Sequence, residues 1–196
     1  METIEYKGYT IEVEQDSHPS NPIAEWDGNA RYALSHGRFN LQNDTDLSTD
    51  DYGGWDEFEK ALKKKYKALA ILPVYMYNHS GITINTTGFS CRWDSGQIGF
   101  VFVNKECLNE WGYKSVRGYE KATGRTIQED MISNVNLYDT YLRGDVYGYR
   151  VIDSDGDEID SCWGYYGDSG IKEAIEQGKG IIDFEIKEKK DLVKSN

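Results

Sequence analysis

The chain has 196 residues and a mass of 22.4 kDa, within the ~250 residues that a single domain accommodates. Hydrophobic residues make up 38%, and 5 Trp, 15 Tyr and 6 Phe supply core volume that aliphatics do not, which excludes intrinsic disorder. Against 22 basic residues stand 34 acidic ones; the net charge of -12 repels nucleic acid and anionic membranes and argues against a conventional nucleic-acid binder.

In chain order, residues 5–14 alternate around a Lys7-Gly8 turn, with Tyr9, Ile11 and Val13 on one face and Thr10, Glu12 and Glu14 on the other, the pattern of a β-hairpin. Residues 15–29 are rich in Pro, Ser, Asn and Asp and read as irregular. A short strand is expected over 31–35, then a polar acidic loop over 40–54 that holds Asp44, Asp46, Asp50 and Asp51. Trp55, Phe58, Leu62, Tyr66 and Leu69 recur at helical spacing with lysines between them, which predicts a helix over 55–68. Strands are expected over 71–77 and 82–86, and residues 98–103, apolar on both faces, read as a central strand.

A short helix over 105–111, stopped by Gly112, leads into a polar link to Thr126. The Thr126-x-x-Glu129 capping box then opens a helix with Ile127, Met131, Val135, Tyr138 and Leu142 on its buried stripe. Residues 145–152 and 158–164 form a hairpin around Asp153-Ser154-Asp155-Gly156-Asp157. A short helix over 171–177, stopped by Gly178, a strand over 181–186 and a charged tail complete the reading. These elements predict one α+β domain over residues 1–196, a largely antiparallel sheet with two or three packed helices.

Charge is unevenly distributed along the chain: residues 1–60 carry a net -10, 61–125 a net +6 and 126–196 a net -8. Bases in the middle and acids at both ends predict faces of opposite potential. Cys91, Cys107 and Cys162 are odd in number and lack CxxC spacing, so neither a disulfide framework nor a zinc site is expected, and a reducing cytoplasm fits best. The longest apolar run, residues 68–77, is half the ~20 residues a membrane span requires and contains Pro73. The acidic start of the chain does not fit a secretory signal.

Several constellations carry chemistry. Asp153-x-Asp155-x-Asp157 has the spacing of a calcium loop, but Glu158 stands where that loop needs glycine and Gly164 where it needs a bidentate Glu, so a solvated turn is the simpler reading and no metal is expected. Cys91, with His79 as base and Asp94 as orienter, is the alternative of a thiol-dependent hydrolase or transferase. Cys107 reads as helix packing. Phosphate-loop and dinucleotide signatures are absent, and no cofactor is expected. Glycines instead interleave with aromatics, as at Trp163, Tyr165 and Tyr166, where rigid rings with polar edges suit either a binding patch or a cross-strand ladder. Repeated carboxylates, in turn, can imitate the phosphate spacing of a duplex.

The blocks Ser90-Cys91-Arg92-Trp93-Asp94-Ser95-Gly96-Gln97-Ile98-Gly99-Phe100, Tyr138-Asp139-Thr140-Tyr141-Leu142-Arg143-Gly144-Asp145-Val146-Tyr147-Gly148-Tyr149 and Asp160-Ser161-Cys162-Trp163-Gly164-Tyr165-Tyr166-Gly167, with the opening Tyr6-Lys7-Gly8-Tyr9-Thr10-Ile11, resemble an uncharacterised family of phage, prophage and mobile-element proteins. The resemblance implies a bacterial host cytoplasm and an anti-defence setting, but no catalytic residue. The expectation is therefore an acidic anti-CRISPR or anti-restriction protein that enters the basic groove of a defence nuclease. It would use Asp44, Asp46, Asp50, Asp51, Asp153, Asp155, Asp157 and Asp160, anchored by Trp163, Tyr165 and Tyr166, without itself binding nucleic acid or membrane. A third alternative is a nucleotide-sequestering module in which Arg92, Arg143 or Arg150 pairs phosphates and tyrosines stack bases.

Overall fold

A computed structural model describes residues 2–194, with side chains as far as Asp191. The elements run β1 (Glu2–Tyr6), β2 (Tyr9–Gln15), α1 (Pro22–Glu25), β3 (Arg31–Leu34), a 3-10 turn (Thr49–Asp51), α2 (Trp55–Tyr66), β4 (Ala70–Asn78), β5 (Ile82–Asn85), β6 (Ser95–Val103), α3 (Lys105–Glu110), α4 (Val116–Thr123), α5 (Ile127–Leu142), β7 (Val146–Ile152), β8 (Glu158–Tyr166) and α6 (Gly167–Lys194). The α+β class and the antiparallel pairing match the sequence pattern, but the described residues form two four-stranded sheets, ordered β1-β2-β7-β8 and β3-β6-β4-β5, and six helices. The chain folds into two compact units, Met1–Ser20 with Gly144–Asn196, and Asn21–Arg143.

The first unit is built on hairpins. Lys7 and Gly8 adopt φ of 51° and 84°, the left-handed pair that matches strand twist, so β1 and β2 pair directly. Tyr9, Ile11 and Val13 are buried as their alternation requires. β2 then pairs with β7, Val13 opposite Tyr149, and β7 with β8 around the expected Asp-Gly turn. One face of this sheet is closed by α6, whose Ala174 and Ile182 join Ile11, Val13, Tyr149 and Val151 in the core. Here the expected short helix and following strand are corrected: a single helix runs through Gly178. Ile171, Ala174, Ile175, Gly178, Ile182 and Ile186 recur every three or four residues, and a Cβ on Gly178 would lie 3.1 Å from Ile11 Cγ2. That glycine admits the sheet to the helix and does not end it. The charged stretch expected as a tail continues α6 to Lys194, and its last two residues lie outside those described.

In the second unit β6 is central, bonded to β3 and β4, and buried on both faces as its sequence predicts. Val101 and Val103 face α5, whose Ile127, Met131, Val135 and Tyr138 share their core; Phe100 and Phe102 face Phe58 and Leu62 of α2. Both parts of the Thr126–Glu129 capping box form. Three expectations change. Leu69 lies past the end of α2 and is 51% exposed, because Lys67 turns left-handed (φ 53°) and breaks the helical stripe. The polar link before Thr126 contains α4, capped by the Ser115 hydroxyl, and the irregular stretch after Gln15 contains α1, capped by Asn21 with Pro22 at its first position.

Candidate functional site

The net charge is not shared between the units. Residues 1–20 with 144–196 carry 18 acids and 8 bases, a net of -10, whereas residues 21–143 carry 16 and 14, a net of -2. The face of the first sheet turned away from α6 shows how that charge is displayed. Strand register places Trp163, Gly148 and Glu14 in one row across β8, β7 and β2, and Ser161, Arg150 and Glu12 in the next. Thr10 and Glu5 continue the face onto β1.

Trp163 is 44% exposed and lies across Gly148, where any Cβ would collide with the indole. The glycine therefore serves as the floor on which the ring rests. Arg150 stands beside it, its Nε donating to Glu158 at 2.7 Å and its Nη1 3.5 Å from Glu12. The guanidinium pulls Glu158 below the usual carboxylate range. Glu5 accepts only from the neutral Thr10 hydroxyl among the described hydrogen bonds, and Glu14 takes part in no described ion pair, so this face keeps negative charge that its own arginine does not cancel.

The other anchors behave differently. Tyr165 is 9% exposed, joins the core beneath α6 and donates to Gln177 Oε1 at 2.6 Å; burial pushes its phenol well up. Tyr166 donates to the Ser20 carbonyl at 2.5 Å. Both hold structure, and of the three rings Trp163 alone presents much area.

The acidic residues also divide. Asp153 turns its carboxylate onto the Asp155 and Asp157 amides of its own turn, at 2.9 and 3.0 Å, and these bonds hold it below the ordinary range, Asp157's first. Asp160 accepts from the Tyr149 hydroxyl at 2.5 Å. Asp44 ties down the Tyr32 amide (2.7 Å) and the Gln42 side chain (2.5 Å), and Asp46 is lowered by Lys65, 2.6 Å away, and by the Tyr66 hydroxyl. Asp50, Asp51, Asp155 and Asp157 are exposed, the first pair on the 3-10 turn and the second on the β7–β8 turn. Asp44 to Asp51 belong to the second unit, Asp153 to Asp160 to the first.

Cys91, His79 and Asp94 come together, but around the carboxylate. The Cys91 thiol donates to Asp94 Oδ2 at 3.6 Å, and His79 Nδ1 lies 3.4 Å from the same oxygen. No thiol–imidazole hydrogen bond occurs among the described residues, and a thiolate formed there would face an anion, the reverse of what activates a nucleophile. Cys107 is buried in the core, where burial raises its pKa. Of the arginines considered for phosphate pairing, Arg143 lies 3.6 Å from Asp139, Arg150 is engaged as above, and Arg92 is exposed on the loop before β6. No group of three or more His, Cys, Asp or Glu among the described residues is arranged to hold a metal, and none of the described helices is long and apolar enough to cross a membrane.

The face made by Glu12, Glu14, Gly148 and Glu158 with Trp163 is absent from the sequence expectation. The alternation of β2 assigns Glu12 and Glu14 a common side, but nothing local says that this side meets β7. No protein-family model, curated protein or solved structure matches the chain.

Proposed function

We propose that the chain is a non-catalytic acidic binding protein that occupies a basic, nucleic-acid-binding groove on another protein. The observation that carries this reading is the concentration of net charge, -10 of -12, in the unit that also bears the half-exposed Trp163. A groove built to hold a polyanion attracts carboxylates over a distance of about 10 Å at moderate salt, and an aromatic anchor then supplies contact area that charge alone does not. Glu5, Glu12, Glu14 and Glu158, with Asp155 and Asp157 on the adjoining turn, would supply the charge; Asp50 and Asp51 are the exposed carboxylates left from the loop over 40–54. The resemblance to phage and mobile-element proteins makes a bacterial defence nuclease, of the restriction or CRISPR type, the partner class.

The test is competition. Purified effector complexes are titrated with the chain in the presence of labelled target DNA or RNA, at low and at moderate salt. The expected result is displacement of nucleic acid that weakens by at least about tenfold as salt rises from ~50 to ~200 mM, and that Trp163→Ala weakens further. Binding that is insensitive to salt and leaves the nucleic acid in place would refute the reading.

A further inference from the structure

A second site lies in the less acidic unit, where strands of unequal length leave a notch. β3 has four residues and β6 nine, so the ladder between them ends after the Ser35 amide bonds the Ile98 carbonyl at 2.8 Å. Beyond it Ser95, Gly96 and Gln97 of β6 keep β4 on one side and, among the described residues, have no strand on the other. A β-bulge falls at the same place, between Val74 and Tyr75, and Gly99 takes a φ of 148° there, where a side chain would collide with the Ala33 carbonyl. Bulges recur beside binding sites since they re-aim neighbouring side chains. The resulting cleft, of about 480 Å³, is lined by His36, Arg38, Met76, Asn78, Trp93 and Asp94 together with residues 95–98 of β6. A second hollow of about 410 Å³ adjoins it through the shared His36, Gln97 and Ile98.

Two side chains on this cleft are unused by the fold. Trp93 is 96% exposed, so its indole is held out at the rim with almost none of its area buried. Arg38 makes no side-chain hydrogen bond or ion pair to a described residue; only its backbone amide is engaged, with His36 Nδ1 at 3.2 Å. Asp94, the acid on the same cleft, is turned toward His79 and Cys91. A planar indole, an unpaired guanidinium and the amides of Asn78 and Gln97 are complementary to one ligand chemistry: a heteroaromatic ring that stacks, an anion that accepts a bidentate pair, and a ring edge that exchanges hydrogen bonds.

We infer that this cleft binds a nucleoside monophosphate, its base stacked on Trp93 with its edge toward Asn78 and Gln97, and its phosphate paired with Arg38 beside His36. The cavity volume falls within the range of about 300–1,000 Å³ that small-ligand sites occupy. The site shares no residue with the acidic face of the other unit, so either can fail without the other.

Calorimetry of the intact chain with AMP, and with adenosine and inorganic phosphate as its halves, tests the assignment. Saturable binding with a Kd below about 1 mM is expected for AMP, with each half weaker. Trp93→Ala and Arg38→Gln should each weaken AMP by roughly tenfold or more, the scale of one lost stacking partner, while Trp93→Phe retains most of the affinity. Both residues are exposed, and unchanged circular dichroism shows that the variants fold. Binding of phosphate as tight as AMP would overturn the stacking role, and absence of saturable AMP binding, or affinity indifferent to both substitutions, would overturn the site.

Discussion

The two units use the same ingredient, a four-stranded antiparallel sheet, and cover it differently. In the second unit α2 and α5 lie on opposite faces, so β6 is apolar on both sides, and the Trp93 cleft forms at its strand end. In the first, α6 covers one face and, among the described residues, no element of the same unit covers the other, which carries carboxylates, Arg150 and Trp163. A doubly covered sheet confines recognition to its edges; a singly covered one offers a whole face, and there the net charge collects.

The strongest way to break this comparison is Gly99→Ala. The added methyl combines backbone strain with a collision against Ala33, and a loss of about 4 kcal/mol or more is expected. Urea unfolding measures the loss, and amide exchange shows whether β3 and β6 open while β2 and β7 stay protected; equal loss of protection in both sheets would mean the units unfold as one. Next is Ile182→Ala, which removes the α6 side chain buried under the first sheet and should cost about 3 kcal/mol, with exchange now fastest in β2 and β7.

Charge gives a smaller effect. Raising salt from about 0.01 to about 0.5 M should stabilise the first unit by up to about 1 kcal/mol through screening of its self-repulsion and leave the second nearly unchanged. A thermal scan that resolves both transitions checks it, and an equal rise in the two would sink the claim of segregated charge. The smallest effect is Asp46→Asn. Lys65 and the Tyr66 hydroxyl hold this carboxyl below its ordinary value, so its contribution is complete above the unfolded carboxylate range near pH 4 and is lost as pH falls through the lowered value. The variant should therefore be slightly less stable than the parent at neutral pH and equal to it in acid, flattening the acid limb of the second unit's stability curve, as followed by urea midpoints from pH 7 to 3.

Much of the local structure was legible. The Lys7-Gly8 and Asp153–Asp157 turns, the Thr126 capping box and the two-sided apolarity of β6 each depend on residues within a few positions of one another, and each formed as read. Gly178 misled because glycine has two uses, ending a helix or letting a neighbour approach, and only the presence of Ile11 beside it decides which. The acidic residues were legible as a composition but not as a site: Asp44, Asp46, Asp153 and Asp160 spend their oxygens on the fold, whereas Glu12 and Glu14 reach a common face with Trp163.

Sequence alone thus determined the α+β class, the hairpins, the helices α2 and α5 and the acidic excess, because hydrogen-bond periodicity and turn geometry are set by near neighbours. Tertiary structure decided that the first and last hairpins share a sheet, Val13 against Tyr149, while the middle of the chain closes a separate one. Which strands meet depends on burial between residues more than a hundred positions apart, and no local pattern encodes that choice.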